Sequence, residues 1–103
     1  MVTNIESEKQ LQSVLTKGDV VIDFWAPWCG PCRIVSPIVE QIAEDHPEVK
    51  VFKLDVDEVR VVEDFDILSI PAIIRFSEGQ EVARFIGVAR KDQIIEGLNL
   101  SQS

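Results

Sequence analysis

The stretch that most limits how this chain can fold runs from Val20 to Cys32. Val20, Val21, Ile22 and Phe24 are apolar on both parities, with one carboxylate, Asp23, among them. A strand apolar on both faces needs cover on both, which is the situation of a parallel sheet with helices on each side. This segment leads into Trp25-Ala26-Pro27-Trp28-Cys29-Gly30-Pro31-Cys32, which holds both cysteines and both tryptophans of the chain. A helical pattern follows over residues 30–45, with Val35, Ile38, Val39 and Ile42 as its buried stripe. Pro31 suits the first turn, where a missing N–H costs nothing. Pro37 cannot donate to the carbonyl of Arg33, so a kink rather than a break is expected there. His46-Pro47 ends the helix.

The remaining elements fit around this unit. Residues 2–5 read as a short first strand. Ser7 caps a helix, with Gln10 three residues on as in a capping box, and Leu11, Val14 and Leu15 at helical spacing. Lys17-Gly18 closes it. Val49–Val56 alternates as a strand, and a short acidic helix is expected over roughly Glu58–Asp64. Ser69-Ile70-Pro71 leads into a strand at Ala72–Phe76. Ser77-Glu78-Gly79-Gln80 reads as a hairpin loop to a strand at Glu81–Ile86. A last helix spans about Arg90–Leu98, weakened by Gly97 by about 1 kcal/mol relative to alanine. The order is β-α-β-α-β-α-β-β-α. Right-handed crossovers join the parallel strands, and the final pair is joined too tightly to be parallel. The fold class is therefore α/β, a mixed β-sheet of about five strands sandwiched between about four helices. At 103 residues it reads as a single domain.

Two thiols at i and i+3 of a helix start can form a disulfide with little loop-closure cost. Exposed N–H groups and the positive end of the helix dipole favour a thiolate on the first. The second lies one turn in and is expected to be more shielded. Cys29 is thus the nucleophile that attacks a substrate disulfide. Cys32 is the resolving thiol that attacks Cys29, releases the reduced substrate and leaves a Cys29–Cys32 disulfide. Asp23 lies in a central strand six residues before Cys29. Burial raises a carboxylate's pKa, and its place under the cysteines makes it the candidate proton acceptor for Cys32. Lys53, on the strand expected alongside, is the candidate cation that tunes Asp23.

Several functions are set aside. The net charge is −8, split evenly as −4 over residues 1–50 and −4 over residues 51–103. That leaves no basic face for nucleic acid or anionic lipid. No apolar run reaches the ~20 residues of a membrane span, and no leader peptide is visible, so a cytoplasmic setting is expected. Structural zinc needs about four ligands, and His46 is the only further soft ligand. An inert disulfide over so short a loop adds little stability. An iron–sulfur cluster shared across a dimer is a further, rarer arrangement. The acidic run Asp55, Asp57, Glu58, Glu63, Asp64, Asp66 reads as a solvated helix face rather than a metal site.

Taken together, the eight-residue motif resembles the active-site signature of the thioredoxin family. The resemblance covers essentially the whole chain. It includes Asp23, Pro37, Lys53-Leu54-Asp55-Val56-Asp57, Ser69-Ile70-Pro71, Phe76 with Gly79, and Gly87. It implies a thioredoxin-like fold over residues 1–103 and a protein-disulfide reductase that carries its electrons on the dithiol, without a bound cofactor or metal. It implies a thioredoxin reductase and disulfide-containing client proteins as partners, and a monomer. It further implies a cis Ile70–Pro71 bond facing the cysteines, with the Ile70 backbone pairing with an extended substrate. Trp28, Ile70, Gly87 and Val88 would form an apolar docking surface, with Gly30, Pro31 and Pro71 beside it, and Trp25 would pack beneath. Gly30-Pro31 is the dipeptide of a reductant, since a cation at position 31 would make the disulfide more oxidising. Ala72, Asp66 and Leu68 depart from the commonest pattern and bear on partner choice. Two rival functions remain: a redox-sensing interaction module, and a disulfide oxidase or isomerase.

Overall fold

A computed structural model describes residues 2–16, 18–60 and 64–100. Its elements are β1 (Thr3–Ile5), α1 (Glu8–Val14), β2 (Asp19–Trp25), α2 (Gly30–Asp45), β3 (Lys50–Asp55), β4 (Ala72–Ser77), β5 (Gln80–Ile86) and α3 (Lys91–Gly97). The strands form one sheet in the order β1-β3-β2-β4-β5. β3 runs parallel to both β1 and β2, whereas β4 is antiparallel to β2 and to β5. The mixed sheet expected from the short β4–β5 connection is what the chain forms, with β2 at its centre.

The alternation of β2 sorts its side chains between two cores. Val20, Ile22 and Phe24 join Ile5, Leu11, Leu54 and Ile74 on one face. Val21 joins Val35, Val39 and Ile42 of α2, and Ile94 and Leu98, on the other. Asp23 shares the parity of Val21, so its carboxylate points into the α2 side of the sheet. The strand apolar on both faces is thus covered on both, as its composition requires.

Local signals explain the ends of the elements. Ser7 accepts the N–H of Gln10 and caps α1, while Gln10 Oε1 takes the N–H of Glu6, one residue earlier than a capping box would have it. Cys29 occupies the N-cap of α2, Pro31 lies in its first turn, and Pro37 is accommodated inside the helix without ending it. Glu78 and Gly79 both have positive φ (50° and 82°), the two-residue turn whose twist matches a hairpin.

One expectation is corrected. The described structure holds three helices, not about four. In the stretch where a helix over Glu58–Asp64 was expected, residues 58–60 and 64 are not helical, and residues 61–63, like Lys17, lie outside the described residues. The Asp55 side chain accepts the N–H of Asp57, and its carbonyl accepts those of Glu58 and Val59, which closes a turn at the start of this stretch. Asp55 is buried, not part of a solvated helix face. Gly97 has a packing neighbour that helix propensity alone does not consider. A Cβ at this position would lie 2.6 Å from Cδ2 of Phe85 on β5, so the glycine lets α3 settle onto the sheet. Gly97→Ala is therefore expected to destabilise by about 1–3 kcal/mol through overpacking, although helix propensity alone favours alanine by about 1 kcal/mol. Urea denaturation decides between the two, and a stabilised variant would disprove the packing argument. No described helix is long and apolar enough to cross a membrane.

Candidate functional site

The site is built where β2 ends and α2 begins. Cys29 and Cys32 form a disulfide, with their Cα atoms 5.3 Å apart. The Cys29 Sγ accepts the Cys32 N–H at 3.2 Å, so one of the free amides of the helix start already faces that sulfur. The corner is braced by Cys29 N–H to the Ala26 carbonyl (3.1 Å) and by the Arg33 guanidinium to the Pro27 carbonyl (3.0 Å).

One expected difference between the thiols is not found in this oxidised state. Cys32 was expected to be the more shielded of the two, but both are buried, at 4% and 3% exposure. Once joined, the sulfurs share one enclosure with Ala26 and the flanking Trp25, Val56 and Ile70. What separates them is their neighbours: Cys29 is met by a helix amide, whereas Cys32 borders a cavity that contains Asp23.

That cavity has a volume of about 100 Å³ and is lined by Asp23, Trp25, Cys32, Arg33, Ser36 and Lys53. Asp23 and Lys53 are direct partners in the β2–β3 register. Burial pushes the Asp23 carboxyl up from 3.8 to about 7, with the Lys53 charge pulling the other way. Desolvation wins because Asp23 is only 3% exposed. Its Oδ1 and the Trp25 indole N–H are buried with no hydrogen-bond partner among the described residues. The Lys53 ammonium lies 5.7 Å from the centre of the Trp25 ring, within cation–π range. Trp25 is thus a wall of the Asp23 cavity as well as packing beneath the disulfide.

The second part of the site comes from distant chain. Ile70–Pro71 is a cis peptide bond, and the Pro71 carbonyl accepts the Gly87 N–H at 2.9 Å. The sheet register explains this gathering, because Phe24 pairs with Ala72 and Ala72 pairs with Ile86. The end of β2, the start of β4 and the end of β5 therefore share one edge. Around it Trp28, Leu68 and Val88 are exposed apolar side chains, and Gly30 and Pro31 are exposed on the first turn of α2. An open groove of about 490 Å³ is lined by Trp28, Val56, Asp57 and Ile67–Ile70. The Trp28 indole N–H donates to Asp57 Oδ2 at 2.9 Å, which tethers a residue that is 70% exposed.

Sequence reasoning had not singled out Ser36, Arg33 or Asp57 for these places. Ser36 lies four residues after Cys32, on the same helix face, so that spacing was a usable signal. Asp57 lay within the stretch that carries the resemblance, but nothing in its spacing pointed to Trp28. Of the three departures from the commonest pattern, Ala72 is fully buried and cannot touch a partner directly, whereas Leu68 and Asp66 are exposed. Asp66 has a φ of 52°, where glycine would be unstrained. His46 sits at the far end of α2 from the cysteines, about 24 Å away for a helix of this length. The described residues hold no group of side chains that could bind a metal ion.

Comparison with known proteins follows the same lines. Residues 2–100 match the family model described as Thioredoxin. Thioredoxin-2 of Saccharomyces cerevisiae is 42% identical over 90 residues, 84% of this chain and 86% of that protein. The thioredoxin of Mycoplasma genitalium is 39% identical over 101 residues, 96% of this chain and 99% of that protein. Among solved structures, Plasmodium falciparum thioredoxin superposes with a TM-score of 0.88 at 29% identity, covering 95% of this chain and 97% of that one.

Proposed function

Because the chain belongs to the thioredoxin family, and is thereby a dithiol–disulfide oxidoreductase, we propose how its residues divide that work. Cys29, as thiolate, attacks a sulfur of a client disulfide. The client S–S bond breaks, a Cys29–client disulfide forms, and the other client sulfur leaves as a thiolate. Cys32 gives its proton to the Asp23 carboxylate and attacks the Cys29 sulfur. The client is released reduced, and the Cys29–Cys32 disulfide closes. Two electrons pass from the dithiol to the client, and a thioredoxin reductase returns them.

Lys53 acts on Asp23 through charge. Trp28, Ile70, Gly87 and Val88, with Gly30, Pro31 and Pro71, form the face against which a client segment lies. The electrons reside on sulfur, so neither a cofactor nor a metal enters. In this reading residues 1–103 act as one domain, a monomeric electron carrier in a reducing, cytoplasmic compartment. Both cysteines belong to the redox pair, and none is left for a disulfide scaffold.

The observation that carries the reading is the disulfide at the start of α2 beside a buried carboxyl held near neutrality. A group with a pKa close to the working pH is the effective proton acceptor. The test is turnover of insulin disulfides under a supplied reductant, with the reduction potential of Cys29–Cys32 measured in parallel. A potential near −270 mV, the order typical of reducing dithiols of this kind, together with turnover is expected. A potential near −180 mV, in the range of secretory isomerases, would make the protein an isomerase or oxidase. A reducing potential without turnover would make it a redox-sensing docking module.

A further inference from the structure

Glu81 and Arg84 lie three residues apart on β5, a spacing that puts two side chains on opposite faces of a regular strand. β5 is not regular. Arg75 pairs with Ala83 and Phe76 with Glu81, so Val82 is the extra residue of a bulge. The bulge turns Glu81 onto the face of Arg84, whose own partner is Ile74. The guanidinium meets the Glu81 carboxylate through Nε (2.8 Å) and one terminal nitrogen (2.7 Å). Its terminal nitrogens also reach away from the strand, to the carbonyls of Phe65 (2.7 Å) and Asp66 (3.0 Å). Bonds from a charged donor are the strong ones, and the Glu81 brace fixes where this donor points.

Those two carbonyls begin the segment that leads to β4. At its far end the Pro71 carbonyl takes the N–H of Gly87, the residue after β5, at 2.9 Å. Residues 65–71 are thus tied at both ends to one strand and its continuation. Ile70, which packs against the enclosure of the two sulfurs, lies between the ties. Within the segment the Phe65 ring packs 5.8 Å from Phe24 and 5.7 Å from Phe76, and Ile67 is buried. Leu68 and Ser69 are exposed. Asp66 keeps a φ of 52°, which a residue with a side chain holds only where its surroundings impose it.

Resting on the dithiol reading above, in which a client segment lies against Ile70, we propose that Arg84 is a positioning residue of the reaction. Braced by Glu81, it holds the backbone of Phe65 and Asp66, and through it the setting of Ile70 beside the disulfide. Its work is to keep one conformation of residues 65–70 populated. When that conformation occupies only a fraction of the molecules, the apparent affinity for a client falls by the same fraction. The exchange at sulfur is left alone. Cys29, Cys32 and Asp23 are set by β2 and the start of α2, which the Arg84 bonds do not reach. A loss of Arg84 is therefore read in binding and not in chemistry.

The experiment compares the wild type with Arg84→Met and Arg84→Lys on two substrates. Insulin brings a peptide backbone to lie against Ile70, and hydroxyethyl disulfide brings none. Methionine keeps much of the aliphatic stem and removes every donor. Arg84→Met is expected to raise KM for insulin about 10-fold with kcat within about 2-fold of wild type. Its rate with hydroxyethyl disulfide is expected to stay within about 2-fold. Arg84→Lys, which donates without the fork, is expected to bring KM back to within about 3-fold of wild type. Should Arg84→Met not fold, Glu81→Gln leaves the guanidinium in place with a weaker brace, and a KM about 3-fold above wild type is expected. An unchanged KM for insulin in the folded variant overturns the proposal. So does an equal loss on both substrates, which would make Arg84 a stabilising residue alone. A wild type that reduces neither substrate removes the dithiol reading itself. A wild type that reduces both, beside an Arg84→Met protein that matches it on both, removes only the role of Arg84.

Discussion

Cys32→Ser is expected to lower disulfide turnover by at least about 10³-fold while the protein accumulates as a covalent adduct of its clients. The serine hydroxyl cannot attack the Cys29 sulfur, so the first exchange proceeds and the second does not. The side chain is buried beside a cavity and differs from cysteine by one atom, so the fold should hold. Non-reducing gels of the variant mixed with an oxidised client should show one band that a small thiol dissolves. Cys29→Ser should give no such band, which assigns the attacking sulfur. A folded Cys32→Ser protein that turns over normally, or captures nothing, would remove Cys32 as the resolving thiol.

Asp23→Asn separates stability from rate. The folded carboxyl binds its proton up to about pH 7, whereas the unfolded one releases it near 3.8. Between those values the folded state carries one more proton than the unfolded state, so stability falls as pH rises and levels off above about 7. At about 1.4 kcal/mol per pH unit, the loss across that window is of the order of 4 kcal/mol. Asparagine has no such proton. The variant should gain little at pH 3.5 and up to about 4 kcal/mol at pH 8, read from urea midpoints at each pH. The resolving step, followed by single-turnover release of client from the mixed disulfide, should slow by about 10²-fold at pH 7. The deficit should shrink at alkaline pH, where Cys32 ionises without help. Equal stability gains at both pH values would show that the carboxyl is not buried and protonated as described. An unchanged rate would mean that the Cys32 proton goes elsewhere.

Much of this arrangement was legible because it is local or periodic. The cover on both faces of β2 follows from Val20 to Phe24, and the depth of Asp23 follows from its parity with Val21. The thiol at the start of α2 follows from the placement of Pro31 and the stripe from Val35 to Ile42. What escaped depended on one side chain meeting another far along the chain. The acidic turn after β3 looked helical until Asp55 was seen to close it. Asp57 acquires a meaning only through an indole 29 residues away. Gly97 looked like a helix defect because Phe85, which needs the space, lies on a different element. The equal burial of the two sulfurs belongs to the disulfide bond, a state that residue spacing does not specify.

The mixed pairing of β2 has a further consequence. Cys29 and Cys32 are neighbours in any conformation of the chain, whereas Ile70, Pro71 and Gly87 reach them only through the β2–β4 and β4–β5 ladders. Reactivity is thus written locally and discrimination globally. A chain that has lost those ladders keeps a dithiol able to exchange electrons with whatever it meets. What it gives up is judgement: the capacity to refuse a partner exists only in the finished fold.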